Sequence, residues 1–307
     1  MLRTLLFILL FCISAFSSSG TLDFHKKYTI AFAQDTLDND FRFAQVKMVR
    51  KALSKYPNIH FVYSNAKANT SLQIKQIEDF IYQKVDILIT SPYNEVATAG
   101  VVAKAYKSGI PVIMIDRTIQ GNDYTIYIHP DNKKIARDAA EFIAKQLNYK
   151  GKVLLLKGVL SADSTRKRTE GFYEVMRHYP EIKVIEYTAN YLRRDALIGV
   201  DTLLKQGEHF DAIMAQSDSM LIGARMALKA HNIDPSSLIT VGIDYIQSAR
   251  RAIRSGDQTS SFVYSLGATE SADIAIKILS GQKVPKEIIL ETLQVTKENV
   301  ETIEPIF

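Results

Sequence analysis

Short, almost wholly apolar runs alternate along the chain with longer stretches in which apolar residues recur every three or four positions. The runs predict strands over Tyr28–Gln34, Ile59–Ser64, Asp86–Thr90, Pro111–Asp116, Lys152–Leu156, Lys183–Tyr187, Asp211–Ala215, Leu238–Ile243 and Ser260–Tyr264. Between them, Phe41, Ala44, Met48, Ala52 and Tyr56 form one helical stripe. Ile74, Ile77 and Ile81, then Ile135, Ala139, Phe142 and Ile143, then Ala196, Leu197, Val200 and Leu204 form others. A strand that is apolar throughout is buried on both faces, the condition of a parallel sheet covered by helices on each side. The pattern therefore predicts a doubly wound α/β fold. It runs through two successive sets, one before about Pro130 and one after, with no Pro/Gly/Ser-rich linker between them, so two similar lobes facing each other are expected.

In such sheets a ligand binds beyond the carboxyl ends of the strands. Here those ends are polar: Gln34-Asp35-Thr36, Ser91-Pro92, Asp116-Arg117, Gln216-Ser217-Asp218 and Asp244-Tyr245. The residue types suit a sugar, whose hydroxyls both donate and accept hydrogen bonds and whose C–H face packs on aromatic rings. Asp116 and Arg117 read equally as a strand-end ion pair and as a carboxylate and guanidinium fork for ligand hydroxyls. Arg166 and Arg168 are expected in a loop before a helix that starts near Glu170-Gly171-Phe172. Phe41 and Tyr191 each head a helix after a strand, as core staples or as stacking platforms.

Composition narrows the function further. With 307 residues, 47% hydrophobic and 23% charged, the chain can bury a large core. The net charge of +5 is small and the basic residues are scattered, so nucleic acid is not an implied partner. Met1-Leu2-Arg3, the apolar run Thr4 to Phe16 and the small residues Ser17-Ser18-Ser19-Gly20 predict a signal peptide over residues 1–19 and export to the periplasm. That run falls short of the ~20 residues that span a bilayer. The one cysteine, Cys12, lies inside it after bulky Phe11, which argues against a lipid anchor. Cleavage then leaves no thiol for disulfides, nucleophilic catalysis or metal binding.

Recognised catalytic patterns are missing: there is no Walker loop, GxGxxG, nucleophile elbow or HExxH. His25, His60, His129, His178, His209 and His231 have no ligand-like spacing. Asp38 and Asp40 could pair as glycosidase carboxylates, but loop spacing fixes no distance between them. A binding protein without metal or cofactor is expected. The sequon Asn69-Thr70-Ser71 reads as a polar helix start rather than a glycan site.

The segments Ile30–Arg42 (IAFAQDTLDNDFR), Ile110–Ile119 (IPVIMIDRTI), Ser164–Phe172 (STRKRTEGF), Ala215–Gly223 (AQSDSMLIG) and Val241–Asp244 (VGID) occur in this order. Together they make the chain, from about Tyr28 to Glu291, resemble the periplasmic sugar-binding proteins of bacterial ABC transporters, the group of the ribose- and galactofuranose-binding proteins. The resemblance implies two Rossmann-like lobes joined by three crossings, near Pro130, near Tyr264 to Ser265 and near Glu291 to Leu293. The lobes would be residues 22–130 plus 265–291 and residues 131–264 plus 292–307. They would close by hinge motion on a ligand that touches both.

Carried over by position, Phe41 and Tyr191 would stack on the sugar ring. Asp116 and Arg117 would hold its hydroxyls from one lobe, Arg168 and Asp244 from the other, and Asn39 lies in a ligand-contacting loop. Gln34, Arg42 after an aromatic, and the Asp116–Ile119 stretch are similar to the galactofuranose-binding protein. Ser217 and Tyr264 depart from the family, standing where Asn and, in ribose-binding proteins, Gln are usual. Both departures argue against ribose itself, and Asp35, Arg42 and Tyr264 together imply a pocket more polar than ribose needs, suited to a hexofuranose, a sugar acid or a furanone-type ligand. The partner implied is the permease of an ABC transporter, or a receptor kinase or chemoreceptor if the protein is a sensor, with the chain itself a monomer. A transcription regulator of this architecture would need a DNA-binding helix-turn-helix ahead of the first strand, where the signal peptide stands instead.

Overall fold

The computed structural model describes residues 20–307; the signal-peptide reading and Cys12 lie outside the described residues. The chain begins β1 (Tyr28–Gln34), α1 (Asp40–Leu53), β2 (Ile59–Asn65), α2 (Thr70–Tyr82), β3 (Ile87–Ser91), α3 (Ala99–Lys107), β4 (Val112–Ile115) and β5 (Ile126–Pro130). It continues α4 (Asn132–Gln146), β6 (Gly151–Lys157), α5 (Asp163–Met176), β7 (Ile182–Thr188), α6 (Arg193–Lys205), β8 (Ala212–Ala215) and α7 (Asp218–Ala230). It ends β9 (Ile239–Asp244), α8 (Gln247–Ser255), β10 (Ser260–Val263), α9 (Ala268–Leu279), β11 (Glu287–Leu290) and β12 (Gln294–Val295).

The strands build two six-stranded sheets, in the orders β11-β5-β4-β3-β1-β2 and β12-β10-β9-β8-β6-β7. Pairing is parallel except where β12 runs against β10. This is the doubly wound class that the apolar runs predict. Ile30, Phe32, Ile87 and Ile113 turn one face of the first sheet toward α1 and α9, while Ala31, Leu88, Val112 and Met114 turn the other toward α2 and α3. The second sheet is sandwiched in the same way, by α4 and α5 on one face and α6 and α7 on the other. Fully burying each such side chain contributes ~1.5–3 kcal/mol. Central strands can therefore be apolar throughout, while the edge strands β2 and β7 keep a half-exposed pattern.

Local chemistry sets the helix starts. Asn39, Asn69, Asp131 and Ser217 each accept a hydrogen bond from a backbone N–H in the first turn that follows. Asn69 thus starts a helix, as its sequence predicts.

The structure corrects several expectations. Arg166 and Arg168 are not in a loop: α5 begins at Asp163, because the polar Ser-Thr-Arg-Lys-Arg stretch is its first turns rather than its approach. Tyr191 lies in the turn before α6 with φ of 62°, not at the head of the helix. The inner face of α1 buries Ala44, Gln45, Val46, Val49 and Leu53, with the anticipated Phe41, Met48 and Ala52 partly buried against the same core, so the stripe is one edge of a wider face; Tyr56 lies beyond the helix end. The strands β5, β11 and β12 were not anticipated. β5 ends in His129-Pro130, a poor strand signature, while β11 is a half-exposed edge and β12 spans two residues.

Candidate functional site

The carboxyl ends of the two sheets meet across a cleft. The space between the atoms there is about 370 Å³, including the part open to solvent, and is lined by Asn39, Phe41, Arg42, Asp116, Arg117, Ser164, Arg168, Tyr191, Ser217, Ser219, Asp244 and Tyr264. Ten of the residues singled out in the sequence line it; Gln34 and Asp35 stand one layer behind.

On the first sheet's side, Asp35 organises two arginines. Its carboxylate meets Arg42 Nε at 3.2 Å and Arg117 Nη1 at 2.7 Å. Arg42 also donates from Nη1 to Gln45 Oε1 at 3.0 Å and from Nη2 to Asp116 Oδ2 at 2.6 Å. Gln34 donates to Gln45 Oε1 at 3.0 Å, and Gln45 in turn donates to the Leu266 carbonyl at 2.9 Å. Gln34 therefore spends its amide on holding the arginine layer. Asn39 caps α1 through its side-chain oxygen and also lines the cavity.

On the second sheet's side, Arg168 donates from Nε to Asn132 Oδ1 at 2.7 Å and from Nη1 to the Gln216 carbonyl. Its guanidinium lies 4.5 Å from the centre of the Tyr264 ring. Tyr191 packs its ring over Gly158, where a Cβ would come within 2.0 Å of the ring, and its hydroxyl accepts from Thr165 Oγ1 at 2.8 Å. The Phe41 ring lies 5.7 Å from that of Tyr264 and touches the cores of both halves. Ser217 caps α7 from the rim of the cavity.

The electrostatics separate the two strand-end aspartates. Burial alone would push the Asp116 carboxyl up, but Arg42 and Arg117 outweigh it and hold it below the usual carboxylate range. Asp244 stays well above that range, because burial dominates, Arg168 offsets it only in part, and the charges of Asp218 and Asp116 add to it. Among the described residues no group donates a hydrogen bond to the Asp244 carboxyl, which lines the cavity. Asp116, Tyr191 and Asp244 all hold positive φ, at 65°, 62° and 120°. Such backbone costs of order 1–3 kcal/mol per residue and gathers at functional sites.

Further contacts close the cleft around the cavity. Arg166 grips Glu95 with Nε and Nη2 at 3.0 and 3.1 Å, Arg193 reaches Asp40 at 2.8 Å, and Ser161 Oγ donates to the Tyr93 carbonyl at 2.9 Å. Residue-level reading missed Ser164, Ser219 and Asn132. The first two fall within the segments STRKRTEGF and AQSDSMLIG, and Asn132 opens the helix after Pro130, so position at a strand-to-helix junction was the available signal.

These features define a two-lobed cleft protein, and the chain belongs to the family of the periplasmic binding protein domain, whose model matches residues 30–283. Among relatives, the ribose import binding protein RbsB of Bacillus subtilis is 31% identical over 277 residues, 89% of this chain and 87% of that protein. Among solved structures, the fructose-binding periplasmic domain of a hybrid two-component system superposes with a TM-score of 0.84 at 28% identity, covering 89% of this chain and 92% of that one. An ABC transporter solute-binding protein from Bacillus halodurans with bound myo-inositol gives 0.85 at 25%, covering 90% and 96%.

Proposed function

We propose that the protein captures a neutral sugar or closely related polyol in the interlobe cleft, in the periplasm, and presents its closed form to the permease of an ABC transporter. One observation carries this reading: Asp116 and Arg117 from one sheet and Arg168 and Asp244 from the other converge on a single cavity. A solute that touches both sets favours the closed form by the difference in its affinity for the two states. Residues 22–130 with 265–291 would then move against residues 131–264 with 292–307. Three guanidinium groups, of Arg42, Arg117 and Arg168, stand against three carboxyl groups, of Asp35, Asp116 and Asp244. Arg42 and Arg117 are already paired with Asp35 and Asp116, which favours an uncharged ligand over a sugar acid. The unpartnered Asp244 carboxyl calls for hydroxyl donors, and Phe41, Tyr191 and Tyr264 offer rings to the apolar face.

The relatives of this chain are binding proteins, which supports binding without turnover. A second reading, in which the closed form signals to a membrane sensor, is supported by the two-component neighbour. A thermal-shift screen over neutral pentoses, hexoses, cyclitols and sugar acids tests the first reading. The expected result is a stabilising neutral ligand, recovered chemically unchanged, that contracts the envelope seen by X-ray scattering. Stabilisation by sugar acids alone, or an envelope that never contracts, would refute it.

A further inference from the structure

Asp218 is buried completely, is not among the residues lining the cavity, and forms no ion pair among the described residues. Its carboxylate is nonetheless fully engaged. Oδ2 accepts from the Tyr245 backbone N–H at 2.7 Å and from Ser261 Oγ at 2.7 Å, and Oδ1 accepts from Gln258 Nε2 at 2.8 Å. Ser261 Oγ lies a further 3.1 Å from the same Tyr245 N–H. The peptide so gripped joins Asp244 to Tyr245, two successive non-glycine residues with φ of 120° and 57°. A bend of that kind opposes the backbone preference of both residues and persists only where its surroundings over-determine it.

The grip is matched in the strand itself. A Cβ at position 242 would lie 1.9 Å from Asp218 Oδ1, so Gly242 gives the carboxylate the room to reach past β9. From the other side the C-terminal segment holds the same bend: Tyr245 donates its hydroxyl to the Ile303 carbonyl at 2.9 Å, and Ile306 N donates to the Tyr245 carbonyl at 3.1 Å. Asp244, whose carboxyl receives no hydrogen bond among the described residues, therefore depends on this backbone bend for its place on the cavity.

We infer that Asp218 is a positioning residue for ligand capture: through the Tyr245 N–H and Ser261 it fixes the strained bend that presents the Asp244 carboxyl to the solute. The inference rests on the proposed role of Asp244 in binding and adds a residue that never meets the ligand. Burial, which pushes the Asp218 carboxyl up to about 6 against the pull of Ser261 and Gln258, agrees with a group retained for its acceptor geometry at a cost in stability.

The test has two readouts. Amide hydrogen exchange of the ligand-free full chain reads the bend directly. In Asp218→Asn and in the milder Ser261→Ala, exchange at Tyr245 should quicken at least tenfold while the amides of β6 and β8 keep the parent's protection. Calorimetric titration with D-ribose, D-fructose, D-galactose and myo-inositol reads the consequence. Loss of a charged buried acceptor should weaken the sugar that binds the parent by about tenfold or more. The same substitution in an Asp244→Asn background should change its affinity less than threefold, since Asp218 would have nothing left to position.

Equal losses in both backgrounds, or unchanged Tyr245 exchange in both single variants, would overturn the inference while leaving the cleft assignment standing. A parent that binds none of the four sugars, or an Asp244→Asn variant that binds as tightly as the parent, would instead strike at the proposed function and take the inference with it.

Discussion

Tyr264 donates its hydroxyl hydrogen to Asp116 Oδ1 across 2.6 Å, joining a residue that follows the second sheet's β10 to one that ends the first sheet's β4. The same hydroxyl accepts from Asn132 Nδ2 at 3.1 Å. One phenol thus ties the two strand-end clusters together at the floor of the cleft. Tyr264→Phe keeps the ring against Arg168 and Phe41 but leaves Asn132 and one Asp116 oxygen short of a partner. A loss of about 1–3 kcal/mol in unfolding free energy is expected, measured by urea denaturation; a variant as stable as the parent would show that the bond contributes nothing.

Asp116 lines the cavity and is also a buried partner of Arg42, so its removal bears on the fold as well as on binding. Asp116→Ala strips Arg42 of a buried partner, and breaking a buried pair costs ~3–5 kcal/mol. Asp116→Asn keeps the shape and an acceptor. Both should lose sugar binding at least tenfold by calorimetry, with the alanine variant melting well below the asparagine variant. Equal melting temperatures would mean that Arg42 is adequately held by Asp35 and Gln45 alone.

Arg168→Lys separates charge from geometry. Lysine keeps the positive charge beside Asp244 but cannot reach Asn132, the Gln216 carbonyl and the cavity at once, nor lay a flat group on the Tyr264 ring. Affinity should fall at least tenfold. Binding at parental strength would reduce the role of Arg168 to that of a point charge.

The pH dependence of stability follows from Asp218. Its folded value of about 6 lies above that of an unfolded aspartate, ~3.9. Between those two pH values the native state binds more protons, so stability falls as pH rises through that window, by up to roughly 3 kcal/mol. Asp244, also raised, acts in the same sense. Asp116, held low, acts in the opposite one: its contribution is present above ~3.9 and disappears only as pH drops through its depressed value. Asp218→Asn should flatten the stability profile between about pH 4 and 6, and urea unfolding across that window checks it. Parallel profiles for parent and variant would rule the assignment out.

The Glu95–Arg166 pair bridges the cleft outside the cavity lining, with Arg166 about half exposed (47%). Exposed pairs are worth only ~0.2–1 kcal/mol, so Arg166→Ala should speed sugar release no more than about fivefold. The effect should shrink in high salt. Stopped-flow dissociation at low and high ionic strength measures both, and an off-rate indifferent to the substitution would mean that the pair does not hold the cleft shut.

How much of this was legible beforehand depends on the kind of signal. Apolar strands such as Leu154–Leu156 and Ile87–Ile89 announce themselves because burial on both faces leaves no polar position in them. The functional strand ends were legible for the same reason, since Asp116 and Asp244 break off an otherwise apolar run. Ordered motif segments added Arg168, whose helix the polar residues around it disguised. Asp218, Asn132 and the Asp35–Gln45 layer were not assigned as supports, because their partners lie tens of residues away and only tertiary packing brings them together. Edge elements such as β11 and β12 carry too few buried positions to leave a trace.

The last two strands have a mechanical corollary. β11 closes the edge of one sheet and β12 the edge of the other, with only Glu291, Thr292 and Leu293 between them. Four Cα steps of 3.8 Å reach at most about 15 Å. However the two sheets move, these two edges can therefore never part by more than that length.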